Sequence, residues 1–310
     1  MGDLKLFQIK QDNVAELSGV SVAIEKSLQG LMERHLEAFL GIRFLATEYS
    51  TGKTHAGRID TLGIDENHSP VIIEYKRTLN ENVINQGLFY LDWLMDHKAE
   101  FELLVLNKFG REVSDKIEWS PRLLCIAGDF SKYDVHAVQQ INRNIELLRY
   151  KRYGSDLLLL ELINATTQVF SSQTDTPSSS SVEKSKKSSK RIEITALAQL
   201  EKADVEIKDR YEALKACLLA LGDDVQFKPL QNYIAFRRLK NFVTLYIFPQ
   251  QKAIKCWVRV SPKSVELNES FMRDVSDTGH WGQGDLEIII RTDQDFEKAK
   301  FYFELAYEQN

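Results

Sequence analysis

The stretch from Gly57 to Lys76, GRIDTLGIDENHSPVIIEYK, constrains the fold more than any other part of the chain. Two apolar runs, Ile59 to Ile64 and Val71 to Tyr75, flank the loop Asp65-Glu66-Asn67-His68-Ser69-Pro70, which is the pattern of a β-hairpin with a loop longer than a tight turn. Three charged residues, Asp60, Glu74 and Lys76, are set into these strands. Side chains alternate between faces along a strand, so Glu74 and Lys76 point one way while Ile73 and Tyr75 point the other. Closing the hairpin about the middle of its loop brings Asp60 opposite the end of the second strand, and the three charges are expected on one face.

Two carboxylates held together repel unless a cation or a proton lies between them, and hard oxygen ligands suit Mg²⁺ or Mn²⁺. A lysine beside them can steer or deprotonate a water, or balance the charge of a phosphate. This arrangement suits metal-assisted phosphodiester hydrolysis. The competing reading is an edge strand with one solvated face, where Asp60, Glu74 and Lys76 form only surface ion pairs.

Asp60 followed by Glu74-Tyr75-Lys76 at the end of the next strand resembles the PD-(D/E)XK nuclease superfamily, with Gly57-Arg58-Ile59-Asp60 in place of its Pro-Asp pair. The likeness is to the branch holding the archaeal mismatch-specific endonucleases and RecB-like nucleases, because Gln86 and Tyr90 on the following helix reproduce its Gln-x-x-x-Tyr pattern. It extends from about residue 20 to residue 110. The tripeptide alone means little, since Glu206-Ile207-Lys208 repeats it in a polar stretch without a partnered strand.

The resemblance implies an α/β fold with a restriction-endonuclease-like mixed sheet flanked by helices. It implies that Asp60 and Glu74 bind Mg²⁺ or Mn²⁺, that the carbonyl of Tyr75 adds a ligand, and that Lys76 helps place the attacking water. Gln86 would face a phosphate, and Tyr90 the nucleic-acid backbone. A further carboxylate is expected from the first helix, Glu33 ahead of Glu37. The implied substrate is nucleic acid, DNA ahead of RNA, and a homodimer suits duplex cleavage because one site cuts one strand. The second hypothesis is a catalytically silent module that binds nucleic acid or a protein through the same fold.

The remaining pattern fills in the domain. Leu4 to Ile9 reads as a strand, Ser21 to Leu40 as an amphipathic helix stopped by Gly41, and Phe44 to Tyr49 as a strand. A helix is expected from about Glu81 to His97, strands at Phe101 to Leu106 and Leu123 to Ala127, and a helix from Tyr133 to Ile145. Two short strands, Ile145 to Tyr150 and Leu157 to Leu162, close the domain. His35 and His55 read as structural or exposed, and Lys53 and Arg58 lie near the expected site.

A chain of 310 residues suggests two domains. The segment SSQTDTPSSSSVEKSKKSSK has too few apolar residues to offset the entropy of ordering, so residues 165–191 are expected to be a flexible linker between a domain at 1–164 and a smaller α+β domain at 192–310. In the latter, a helix at Val205 to Leu221, strands at Tyr233 to Leu239, Phe242 to Phe248, Ala253 to Val260 and Glu287 to Arg291, and a helix at Asp293 to Tyr307 are expected. This part resembles a domain of unknown function found behind nuclease-like domains, on the strand Ile254 to Val260 and on Gly279-His280-Trp281-Gly282-Gln283-Gly284-Asp285. The glycine-rich loop suits an anion. Trp257, Tyr246 and Phe248 offer either a stacking platform for bases or a core.

The net charge of −5 excludes a protein that coats nucleic acid through a global field, so contacts must be local. Arg143, Arg149, Lys151, Arg152 and the cluster Lys184 to Arg191 are the candidates, each phosphate contact adding salt dependence. No apolar run approaches the ~20 residues that span a membrane, the first residues lack the apolar core of a signal peptide, and no membrane partner is expected. Cys125, Cys217 and Cys256 are odd in number and set among apolar residues, as free thiols in a reducing cytoplasm are.

Overall fold

In the computed structural model the chain forms two compact units, residues 1–168 and 169–310. The structure describes residues 4–11, 13–20, 25–52, 57–76, 83–166, 196–268, 270–280 and 282–310. Outside them fall Lys53, His55, Arg77, Trp281, the Lys184 to Arg191 cluster, the Ser/Lys-rich segment and the starts of two expected helices.

Unit 1 begins with a two-stranded ribbon of β1 (Leu6–Lys10) and β2 (Asn13–Leu17), then β3 (Gly19–Val20). The expected single helix is broken at His35, where φ is −127° and ψ 23°, into α1 (Glu25–Arg34) and α2 (Leu36–Leu40). Gly41 ends it in the left-handed region, its N–H donating to the carbonyl of Glu37. β4 (Ile42–Ser50), β5 (Arg58–Asp65) and β6 (Pro70–Lys76) follow as an antiparallel meander.

Next come α3 (Val83–Asp96), α4 (Lys98–Phe109), α5 (Arg111–Ser114), β7 (Arg122–Ala127), α6 (Lys132–Gln139), β8 (Asn144–Tyr153) and β9 (Leu157–Thr166). The sheet order is β3-β8-β7-β6-β5-β4, with β9 paired to β8. β6, β7 and β8 run parallel, and the other pairs are antiparallel.

This mixed sheet is flanked by helices. α3 and α4 bury Leu91, Leu94, Phe101 and Val105 with Leu62, Ile72, Leu123 and Cys125 of the sheet. α1 lies over β4, β5 and β6. β6 is therefore central, and all seven of its residues are buried, which overturns the edge-strand alternative.

Three local expectations are corrected. Phe101 to Leu106 is helix, because its buried residues, Phe101 and Val105, recur at four and not two. The helix expected at Tyr133 to Ile145 ends at Gln139, and Asn144 already opens β8. The two closing strands are ten residues each, so β9 runs to Thr166, past the expected domain end.

Unit 2 is α+β. α7 (Ala196–Glu201) and α8 (Val205–Leu219) precede β10 (Gln226–Pro229), β11 (Ile234–Arg237), β12 (Asn241–Phe248), β13 (Ala253–Val258), β14 (Met272–Asp274) and β15 (Leu286–Ile290), and α9 (Asp293–Gln309) closes the chain. The antiparallel sheet has the order β10-β11-β12-β13-β15-β14. Leu214 and Leu218 of α8 and Phe303 of α9 pack on Leu245, Cys256 and Ile288 of one sheet face. Thr292 and Asp295 cap α9 reciprocally. The second Glu-x-Lys, Glu206 to Lys208, is the first turn of α8. All three cysteines are free, Cys125 and Cys256 buried.

A paired-carboxylate candidate site on the central hairpin

The β5–β6 ladder is paired from Ile64↔Pro70 to Thr61↔Ile73. Continuing that register places Asp60 opposite Glu74, and there the carboxylates take over from the ladder. The Asp60 N–H donates to Glu74 Oε1 at 3.2 Å, and the Tyr75 N–H donates to Asp60 Oδ2 at 3.0 Å. Each acid is thus held by the backbone of the other's strand. Behind them, Gln29 Nε2 donates to the Asp60 carbonyl at 2.8 Å, fixing the strand to α1.

The electrostatics follow from this closeness. Glu74 is 1% exposed, and its pKa is pushed up to about 9, first by burial, then by the charge of Asp60 and of Glu48, against the partial relief of the Asp60 N–H. Asp60 is also pushed up, first by burial, with Glu48 and Glu33 adding to it and the Tyr75 N–H and Arg58 opposing. Such a pair keeps a proton at neutral pH unless a cation replaces it. Among the described residues, no group of three or more His, Cys, Asp or Glu is gathered as a metal-binding cluster. The oxygen donors at this point are two carboxylates and neighbouring carbonyls.

Lys76 does not meet the carboxylates directly. Its Nζ lies 3.5 Å from Asp134 Oδ2 of α6 and 5.9 Å from the centre of the Phe130 ring. The same Asp134 oxygen accepts from Ser131 N at 2.8 Å as half of a capping box. Glu74 and Lys76 nevertheless face the same side, since both charges act on the thiol of Cys125, the parallel partner of Glu74.

Glu33 accepts from Thr61 Oγ1 at 2.7 Å and from Gln29 Nε2 at 3.1 Å. Thr61 leaves its strand on the face opposite to Asp60, so Glu33 acts on Asp60 as a nearby charge and is outside the clasp. Glu37 is exposed and turned toward Arg43. Gln86 Nε2 donates to Tyr90 Oη at 3.1 Å, and the Arg58 N–H donates to the same oxygen at 3.1 Å, so the two helix residues meet at the start of β5.

Of the basic residues expected on nucleic acid, Arg149 is committed elsewhere: it is 7% exposed, bonded to Glu161 at 2.6 Å and Asp129 at 3.3 Å. Arg143 and Arg152 are exposed, and Lys151 is half-buried. Sequence reasoning missed Asp134, although Ser131-x-x-Asp134 before an apolar helix is a capping signal. It also missed a buried triad in which Arg122 bonds Asp65 at 2.7 Å and Glu146 at 2.7 Å.

The fold and the clasp together define a two-unit chain whose first unit is a helix-flanked mixed α/β sheet carrying two carboxylates each held by the backbone of the other's strand, and whose second is α+β. The chain is 31% identical over 305 residues to an uncharacterized protein of Haemophilus influenzae, spanning 94% of this chain and 95% of that one, and it belongs to the same family. Residues 196–310 match the family described as a domain of unknown function, DUF5655. Among solved structures, a repair endonuclease from Pyrococcus abyssi aligns with 16% identity and a TM-score of 0.28 over 44% of this chain, which spans 51% of that one. A complex of EndoMS with double-stranded DNA aligns with 12% identity and a TM-score of 0.26 over 47% of this chain and 64% of that one. No helix among the described residues is long and apolar enough to cross a membrane.

Proposed function

We propose that unit 1 is a metal-dependent nuclease that hydrolyses phosphodiester bonds, in DNA ahead of RNA. The observation that carries this reading is the Asp60–Glu74 clasp, two carboxylates fixed by each other's strands and left with raised proton affinity at a point where a cation would discharge them. Bound Mg²⁺ or Mn²⁺ would lower the pKa of a water and offset charge on the phosphate. Mg²⁺ needs only one or two protein carboxylates, the rest of its shell being water and substrate, so the donor set of Asp60, Glu74 and the Tyr75 carbonyl suits it.

The chain's own residues then divide the work. Asp60 and Glu74 would hold the ion, their carboxylates already oriented by the hairpin N–H groups. Lys76, enclosed beside Asp134, supplies a fixed positive charge. Glu33 keeps the Asp60 region negative through Thr61 and Gln29. Gln86 and Tyr90 present polar groups at the start of β5, where a neighbouring phosphate would pass. Cutting both strands of a duplex would pair two copies of the chain.

The test is cleavage of labelled single-stranded, duplex, mismatched and flap DNA, with an RNA control, in Mg²⁺ or Mn²⁺. The expected result is metal-dependent cutting that Glu74→Ala and Lys76→Ala abolish in chains shown to be folded. If nothing is cut and calorimetry finds no Mn²⁺ bound that Glu74→Ala removes, the nuclease reading fails.

A further inference from the structure

In unit 2 the residues Lys228, Ala235, Thr244, Trp257, Glu287 and Arg273 form one cross-strand row over all six strands. The row lies on the face turned away from α8 and α9, whose core takes the alternate residues Leu245, Cys256 and Ile288. Gly279, His280 and residues 282–285 of the loop after β14 cross it as a strap. Gln283 N donates to Thr244 Oγ1 at 2.8 Å. A Cβ on Gly282 would stand 2.3 Å from that oxygen and 2.5 Å from Trp257 Cε3, and Gly284, at φ 124°, lies against the backbone of Val258. The strap fits this row only because these two positions are glycine.

On the strap, the His280 ring lies parallel to the Trp257 indole, 9° between planes and 5.8 Å between centroids. Trp257 is 4% exposed. Its Nε1, like Nδ1 of His280, is buried without a hydrogen-bond partner. An indole N–H can only donate, and leaving it unpaired in the interior costs free energy that a phenylalanine would avoid. Two stacked rings with unpaired nitrogens under one strap call for a ligand that is flat and carries acceptors on its rim.

We propose that Trp257 is the base-stacking residue of a single-strand nucleic-acid site in unit 2, and that the His280 ring occupies the position of the base in the unliganded chain. A nucleobase replaces the imidazole ring for ring and brings a carbonyl or ring nitrogen to Trp257 Nε1–H. Lys255, two residues away on the same face, and Arg273, at the exposed end of the row, supply charge for the phosphodiester. Glu287 lies between them and is already neutralised by Arg273 Nε at 2.7 Å and Lys255 Nζ at 4.0 Å. Phe248, whose ring centre lies 5.0 Å from Lys255 Nζ, continues the aromatic surface along β12. The inference rests on the nuclease reading only in naming nucleic acid as the polymer.

The test uses the full chain with Ca²⁺ in place of Mg²⁺, so that binding is read without turnover, and a single-stranded oligonucleotide carrying 2-aminopurine. Binding should quench the 2-aminopurine. Trp257→Leu should weaken binding about tenfold. Trp257→Phe, which keeps a ring and loses the N–H, should weaken it less, and His280→Ala, which removes the occupant, should tighten it. No binding, binding without quenching, or equal affinity in folded wild type and all three variants overturns the proposal, even for a chain that cuts DNA. The expected pattern in a chain that cuts nothing and binds no Mn²⁺ through Glu74 upholds the site and sinks the nuclease reading alone.

Discussion

Lys76 Nζ lies 3.5 Å from Asp134 Oδ2, and the lysine side chain that carries this charge is 2% exposed. An ammonium enclosed this way leans on the carboxylate beside it. In the nuclease reading Lys76 acts through a positive charge held in place by Asp134. The partner also caps α6, so two effects must be separated. Ser131→Ala removes the cap alone and should cost about 1 kcal/mol. Asp134→Asn also leaves the enclosed ammonium without a carboxylate and should cost about 3 kcal/mol. Urea unfolding measures both, and equal losses would show that the ion pair contributes nothing.

The clasp makes stability depend on pH in an unusual direction. Glu74 titrates at about 9 in the folded chain against an ordinary value of 4.5, and Asp60 is shifted the same way. Between those values the folded state holds more protons than the unfolded one. Its stabilisation is full below the unfolded value and is lost as pH rises toward the folded one. The slope reaches ~1.4 kcal/mol per pH unit for a single group. In metal-free buffer, thermal melting should fall from pH 6 to pH 8.5, and Glu74→Gln should flatten that fall. Mn²⁺ should raise the wild-type midpoint at pH 8.5 and leave the variant unmoved. A flat wild-type profile would mean that the two acids do not share an enclosed site.

The hairpin was legible because its signals are local. Apolar alternation on both sides of a polar loop gave the strands, and a period of two put Asp60, Glu74 and Lys76 on one side. What lay beyond reach were the partners supplied from elsewhere in the chain. Asp134 follows Lys76 by 58 positions and meets it only because β6 and β7 run parallel, which brings the start of α6 to the end of β6. Phe101 to Leu106 failed for a different reason: six residues with five apolar positions fit either period, and only the burial of Phe101 and Val105, four apart, on a helix that packs against β4 separates them. In unit 2, Trp257 and His280 were both visible as residues of interest, but their stacking depends on the strap that carries His280 back over β13.

Arg122 gives a prediction about the fold alone. It is 1% exposed and bonds Asp65 and Glu146, both also buried, tying the ends of β5, β7 and β8 together. Asp65, read as a loop residue, also accepts from the N–H groups of Asn67 and Ser69 and so sets the hairpin turn. Arg122→Leu strands two carboxylates in the interior and should cost about 3–5 kcal/mol. Added salt should not change that loss, because screening acts on exposed pairs. A loss under about 1 kcal/mol, which is what exposed pairs give, would show that water reaches the triad.

Gly57 and Tyr90 test whether the start of β5 is a packed joint or a contact surface. A Cβ on Gly57 would stand 2.5 Å from Tyr90 Cε1 and 2.9 Å from its oxygen. Tyr90 is 4% exposed, and its oxygen accepts from both Arg58 N and Gln86 Nε2, so the ring has little room to withdraw. Gly57→Ala should cost about 1–3 kcal/mol through overpacking. Tyr90→Phe leaves the ring and removes the acceptor, costing about 1 kcal/mol. Because the two residues touch, their effects should not add, and a double-mutant cycle measures the coupling. The cleavage assay then separates structure from function. If Tyr90→Phe lowers stability by this small amount and abolishes cutting, the phenol serves the substrate; if cutting survives in proportion to the folded fraction, its role ends with holding Arg58 and Gln86 in place.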